Sequence, residues 1–90
     1  MSKLLNDSIT LHKQLLSGEK VDLEFHGFLA DTPINEAIEY NRFTILTLLQ
    51  FPKEEATKSG SNSAKLLQEI ARTENVETVI DTLESYRKTL

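Results

Sequence analysis

The chain has no cysteine, no long apolar run and no cluster of basic residues, and each absence excludes a class of protein. Without cysteine, neither a disulfide framework nor a thiolate zinc site can form, which fits a reducing cytosol. No apolar run approaches the roughly 18 residues that span a membrane, and the N-terminus lacks the apolar run of a signal peptide. We therefore expect a soluble, cytoplasmic protein with no membrane partner.

Basic residues are too few and too dispersed for a nucleic-acid-binding protein. Ten lysines and arginines stand against fourteen aspartates and glutamates, which gives a net charge of −4. Proteins that bind nucleic acid usually carry a basic stripe that replaces the counterions of the phosphates. The sequence therefore disfavours a nucleic-acid partner, and an acidic surface favours a partner with a basic patch.

Catalytic and metal-binding motifs are also absent. The chain has no G-x-S-x-G, no phosphate-binding glycine loop and no cysteine nucleophile. Glu54 and Glu55 are adjacent carboxylates, but they lie in a polar segment where nothing would desolvate them. His12 and His26 are far apart and lack a ligand-like spacing. We expect no enzymatic activity, no cofactor and no metal.

The strongest positive signal is helical periodicity across a chain that is long enough for one small domain, residues 1–90. Apolar residues recur every three or four positions over 2–17, over 31–51 and from 63 onward, which is the spacing of amphipathic helices. The last stripe changes phase at 72–75, which predicts a kink or two helices. We predict an all-α fold of four to five helices, stacked as hairpins or packed as a small bundle.

Three features interrupt the helical pattern. Gly18 is expected to end the first helix in a left-handed conformation. Apolar and charged residues then alternate around Leu23, which predicts one short extended segment near 21–25. Residues 52–62 concentrate proline, glycine, serine and asparagine, which predicts a polar loop.

Residues 31–50 have the composition of a helix–turn–helix unit. Thr32-Pro33 opens a helix, Ala37-Ile38 provides its buried positions, and Asn41-Arg42 falls where a turn would lie. The second apolar group consists of Ile45, Leu46, Leu48 and Leu49. This order resembles the ankyrin repeat, with its T-P-L-H-x-A motif, turn and I-V-x-L-L segment. Ala30 and Asn35 depart from it, since the family has glycine and histidine there.

A weaker echo of this unit appears in residues 65–84, displaced by 34 residues. The matching positions are Ala71, Asn75, Val79-Ile80 and Leu83. The resemblance implies a protein that binds another protein through its loop tips and through the outer face of the first helix of each pair. Carried across, it assigns partner binding to Glu24, His26, Phe28, Glu36, Glu39 and Tyr40. Alternatively, Phe25, Phe28 and Tyr40 fill a small core.

Our principal prediction is a small, non-enzymatic module that binds or masks a partner protein, and two alternatives stay open. One continuous helix through Asn41 would remove the repeat and leave a compact helical immunity protein, inhibitor or regulator, which neutralises a toxin or is encoded by a phage. A structural protein could instead self-associate through the helix at 76–90. The apolar stripe of that helix consists of Val76, Val79, Leu83, Tyr86 and Leu90.

Overall fold

The computed structural model describes residues 2–49 and 63–88, which form four α-helices. They are α1 (Ser2–Ser17), α2 (Ile34–Leu48), α3 (Ser63–Arg72) and α4 (Val76–Arg87). These two ranges contain no strand, so the predicted all-α fold of four to five helices is confirmed. No helix within them is long and apolar enough to cross a membrane. The predicted polar loop at 52–62 and the carboxylates Glu54 and Glu55 lie outside the described residues.

Gly18 ends α1 as the sequence predicts. Its φ is +75°, a left-handed conformation that glycine adopts without the steric cost of a side chain. The amide of Gly18 donates to the carbonyl of Leu15, and the amide of Glu19 donates to that of Gln14. This pair of hydrogen bonds is the Schellman motif, which satisfies carbonyls that a helix end would otherwise leave unpaired.

The extended segment predicted near 21–25 is wrong, because the chain turns from Leu23 to Gly27. The Leu23 carbonyl accepts hydrogen bonds from the amides of His26 and Phe28, and Gly27 has a φ of +86°. Asp22 starts the turn, since its Oδ1 accepts from the amide of Phe25 at 3.2 Å. Local capping by Asp22 and Gly27 therefore outweighs the two-residue alternation of the side chains.

The turn predicted at Asn41-Arg42 is also wrong, because α2 continues through both residues without a break. Their side chains explain why polar residues stand in the middle of this helix. Asn41 Oδ1 accepts a hydrogen bond from Ser8 Oγ of α1 at 2.7 Å, and Arg42 is almost completely buried. Tertiary contacts thus stabilise these two polar residues within the helix, where the residue types suggest a turn.

The phase change at 72–75 does separate two helices, as the sequence predicts. Residues 73–75 lie between α3 and α4. Asn75 caps α4, because its side chain accepts a hydrogen bond from the amide of Thr78 at 3.2 Å. The Asn75 amide in turn donates to Thr73 Oγ1, which fixes the connection between the two helices.

The core is formed mainly by α1, α2 and α4, with α3 packed at its margin. α1 packs chiefly against α4, and α2 packs against α3. The buried hydrophobic cluster consists of Leu5, Ile9, Ile45, Leu46, Val79 and Leu83. Val79 and Leu83 are completely buried here, so they are not available for the self-association that we predicted through 76–90. Leu90, the last member of that stripe, lies outside the described residues.

Candidate functional site

The six residues predicted for partner binding lie in two adjoining parts of the chain. Glu24, His26 and Phe28 belong to the connection between α1 and α2, whereas Glu36, Glu39 and Tyr40 belong to the first half of α2. The structure brings two of them together. The rings of Phe28 and Tyr40 meet edge to face with centroids 5.8 Å apart. This contact packs the connection against the start of α2.

Neither Phe28 nor Tyr40 is a buried core residue. Phe28 is half-buried, and Tyr40 is 65% exposed although it contacts Phe28. Phe25 is 63% exposed, and its ring stands edge-on to His26. The alternative in which these aromatic residues fill a small core is therefore wrong for Phe25 and Tyr40.

Glu39 differs from the other predicted carboxylates, because it has a partner within the chain. One of its oxygens lies 2.9 Å from Nε of Arg72 at the end of α3. The ion pair is partly exposed, so it contributes little to stability but links α2 to α3. Glu24 and Glu36 are exposed.

The most exposed large hydrophobic residue of the described chain is not among the six residues assigned to partner binding. Leu29 is 75% exposed and directly follows Phe28. We call the exposed apolar side chains and carboxylates of this region the acidic loop surface. Its members are Phe25, Leu29, Ile34, Tyr40, Asp22, Glu24, Asp31 and Glu36, all of them exposed.

The charge of the chain is concentrated around this surface. Residues 19–40 contain six carboxylates and one lysine, a formal net charge of −5, whereas the rest of the chain has eight carboxylates and nine cationic side chains. The whole net negative charge of the protein therefore belongs to the connection and the first half of α2. A hollow of about 440 Å³ opens beside the turn, lined by Lys20, Val21, Asp22, Leu23, Glu24 and Ala30.

A second polar feature is buried inside the protein and is centred on His12 and Arg42. Arg42 Nε donates to His12 Nε2 at 3.0 Å, and His12 Nδ1 lies 2.7 Å from the carbonyl oxygen of Ser8. Because a carbonyl can only accept, Nδ1 carries a proton. Because Nε2 accepts from Arg42, it carries none, and His12 is therefore neutral. Burial lowers the pKa of His12 to about 4, the hydrogen bond to Ser8 opposes this shift, and the Arg42 charge adds to it.

Arg42 connects this histidine to the end of α3. Its Nη1 donates to the carbonyl oxygens of Ala71 at 3.1 Å and Thr73 at 2.8 Å, with Ile70 at a longer 3.5 Å. Carbonyls in the last turn of a helix have no partner within the helix, and a cation there also faces the negative end of the helix dipole. Burial lowers the pKa of Arg42 from its usual value.

The polar cluster of buried Ser8, His12 and Arg42 with half-buried Asn41 therefore holds α1, α2 and α3 together. Both ring nitrogens of His12 are occupied by protein partners, so this histidine offers no free nitrogen to a substrate or a metal. Within the described ranges, no group of three or more histidine, cysteine, aspartate or glutamate residues could hold a metal ion. A sequence signal for the cluster did exist, since Arg42 occupies the apolar stripe between Ile38 and Ile45.

A shallow groove of about 510 Å³ runs beside this cluster, between α2 and the α3–α4 connection. Leu15, Ile38 and Val76 give it apolar walls, and the Glu39–Arg72 ion pair lies along it. Its acidic and basic side chains balance each other, so the groove lacks the single sign of charge that marks the acidic loop surface.

No family model, curated protein or solved structure matches this chain. No match supports the resemblance of residues 31–50 to an ankyrin repeat, and the continuous α2 lacks the turn at Asn41 on which that resemblance depended.

Proposed function

We propose that this protein is a small, non-enzymatic module that binds a partner protein through the acidic loop surface. One observation carries the proposal. Seven large hydrophobic residues are exposed among those described, and four of them lie within residues 25–40. The four are Phe25, Leu29, Ile34 and Tyr40. Scattered exposed apolar residues are normal, but a local concentration is typical of an interaction site.

The kinds of residue in this region also suit binding. Phenylalanine and tyrosine supply large contact areas at a small entropic cost, and tyrosine is enriched among the residues that dominate binding energy. Glu24 and Glu36 add exposed carboxylates to the same region, and interfaces commonly combine polar side chains at the rim with apolar ones at the centre. Three of the residues first assigned through the family resemblance, Glu24, Glu36 and Tyr40, thus belong to the surface on exposure alone.

The test is affinity capture from extracts of the source cells with three forms of the chain. The wild type is compared with Phe25→Ser/Leu29→Ser and with a control, Leu4→Ser/Leu48→Ser. The control removes two exposed hydrophobics, 55% and 48% exposed, from places outside the surface. We expect the wild type and the control to retain the same protein and the first variant to lose it.

Circular dichroism must show the same helix content in all three forms. Retention of the same protein by all of them would contradict the proposed surface. The capture is run at protein concentrations above a micromolar Kd. If even the wild type then retains no protein, the proposed function is contradicted.

A further inference from the structure

We propose that the occupant of the acidic loop surface is a basic segment of another protein, which combines apolar side chains with lysine or arginine. This inference rests on the proposed function and adds the chemistry of the partner. Its basis is the combination of exposed apolar side chains with a formal net charge of −5 over residues 19–40.

The surface is held in shape before any partner arrives. Asp22 and Gly27 fix the turn that presents Phe25, through the hydrogen bond to the Phe25 amide and the left-handed glycine. Phe28 packs against Tyr40. A second hydrogen bond, from the amide of Thr32 to the carbonyl of Leu29, closes the next turn at 3.1 Å. Preorganisation of this kind reduces the conformational entropy that the protein loses when it binds.

Electrostatics selects among the occupants that an apolar surface could take. A second copy of the chain would bring an equal negative charge against the first, and nucleic acid or an anionic membrane would be repelled in the same way. A neutral partner would desolvate Glu24 and Glu36 without replacing their hydration. A basic partner compensates both carboxylates while its apolar side chains cover Phe25 and Leu29.

The hollow beside the turn gives this partner a place for a side chain. Val21, Leu23 and Ala30 form an apolar wall, and Asp22 and Glu24 stand at the same opening. A lysine or arginine side chain has an apolar stem and a cationic end, so it can lie along such a wall while its charge meets the carboxylates. Lys20 also lines the hollow and compensates part of the charge of these two carboxylates.

Selection from a random peptide library on the immobilised full chain tests the chemistry without knowledge of the partner. We expect the enriched peptides to carry a net positive charge together with aromatic or aliphatic residues. They should bind Glu24→Lys/Glu36→Lys at least roughly tenfold more weakly than wild type. The control Glu69→Lys/Asp81→Lys changes net charge equally at two exposed carboxylates outside the surface and should bind like wild type.

Salt provides the second arm, because screening shortens the reach of charges from about 10 Å at 0.1 M to about 3 Å at 1 M. We expect affinity for the enriched peptides to fall roughly tenfold or more over that range. Enrichment of neutral or acidic peptides that still need Phe25 and Leu29 would overturn the basic partner and leave the protein-binding function standing. Failure to enrich any peptide, or equal binding to both charge-reversal variants, would also overturn this inference.

Discussion

Acid should destabilise this protein in a pH range where most carboxylates are still ionised, and His12 is the cause. In the folded chain His12 is neutral, because its Nε2 accepts a hydrogen bond from Arg42 and its pKa is lowered to about 4 from 6.5. The unfolded chain binds a proton at His12 below about pH 6.5, whereas the folded chain does not until about pH 4. Stability is therefore complete above pH 6.5 and decreases as the pH falls towards 4.

The magnitude follows from the difference between the two pKa values. The pKa is about 4 in the folded chain and 6.5 in the unfolded chain, which at about 1.4 kcal/mol for each pH unit gives a loss of about 3.5 kcal/mol. A loss of this size is a large share of the roughly 5–15 kcal/mol by which small domains are stable. Between pH 6 and pH 4.5 the free energy of unfolding should change by about 1.2 kcal/mol per pH unit through His12 alone.

Urea unfolding followed by circular dichroism at a series of pH values from 7 to 4.5 measures this slope. His12→Gln should be less stable at pH 7 but should lose the His12 contribution to the slope. Lys13 lowers the pKa of Glu84 through a hydrogen bond, so protonation of Glu84 also lowers the stability of the protein in acid. Because wild type and variant share Glu84, the difference between their slopes isolates His12.

His26→Gln is the matched control, since it leaves the bond between His12 and Arg42 in place and removes only the smallest of the causes that lower the pKa of His12. We expect it to keep the wild-type dependence on pH. Equal slopes for wild type and His12→Gln between pH 6.5 and 4.5 would refute the reasoning and the neutral, buried state of His12.

Two further predictions concern the packing of the helices. Arg42→Met should lower the free energy of unfolding by about 3 kcal/mol or more, measured in urea at pH 7, because it leaves the carbonyls of Ala71 and Thr73 and the Nε2 of His12 unpaired. A loss of less than about 1 kcal/mol in the free energy of unfolding would show that the polar cluster around Arg42 does not hold α3. Leu83→Ala should cost about 2–5 kcal/mol, whereas Leu48→Ala at an exposed position should cost less than about 1 kcal/mol. Sedimentation tests the alternative of self-association through α4, and we expect the same mass for wild type and Leu48→Ala. A wild-type dimer that dissociates in Leu83→Ala at full helix content would restore that alternative.

The helices were predictable from the sequence because their main determinants are local. The four- and three-residue spacing of Leu5, Ile9 and His12 predicts α1, and Gly18 predicts its end. The change of phase at 72–75 predicts the boundary between α3 and α4. Each of these signals lies within a few residues of the structure that it specifies.

The errors have two different physical causes. Near 21–25 the alternation of side chains suggested an extended segment, but Asp22 and Gly27 supply hydrogen bonds and a backbone conformation that favour a turn. At Asn41 and Arg42 the residue types suggested a turn, but partners more than 25 residues away stabilise the helix. Periodicity contains no information about partners so distant in sequence.

The candidate surface was predictable only in part. Three of the residues assigned to partner binding from the sequence, Glu24, Glu36 and Tyr40, have exposed side chains, and their role in binding stays a prediction. The contact between Phe28 and Tyr40 depends on how the connection folds back onto α2, and sequence spacing does not specify that path. The exposure of Phe25 follows from the turn that the sequence analysis missed.

Site-specific photo-crosslinking inside the source cells tests the central claim most directly. A photoreactive residue is placed at Leu29, in the acidic loop surface, and separately at Leu48, an exposed position near the end of α2. We predict a protein adduct of one defined mass at Leu29, weakened by Glu24→Lys/Glu36→Lys, and no such adduct at Leu48. The same adducts at both positions, or an adduct at Leu48 alone, would contradict binding through this surface.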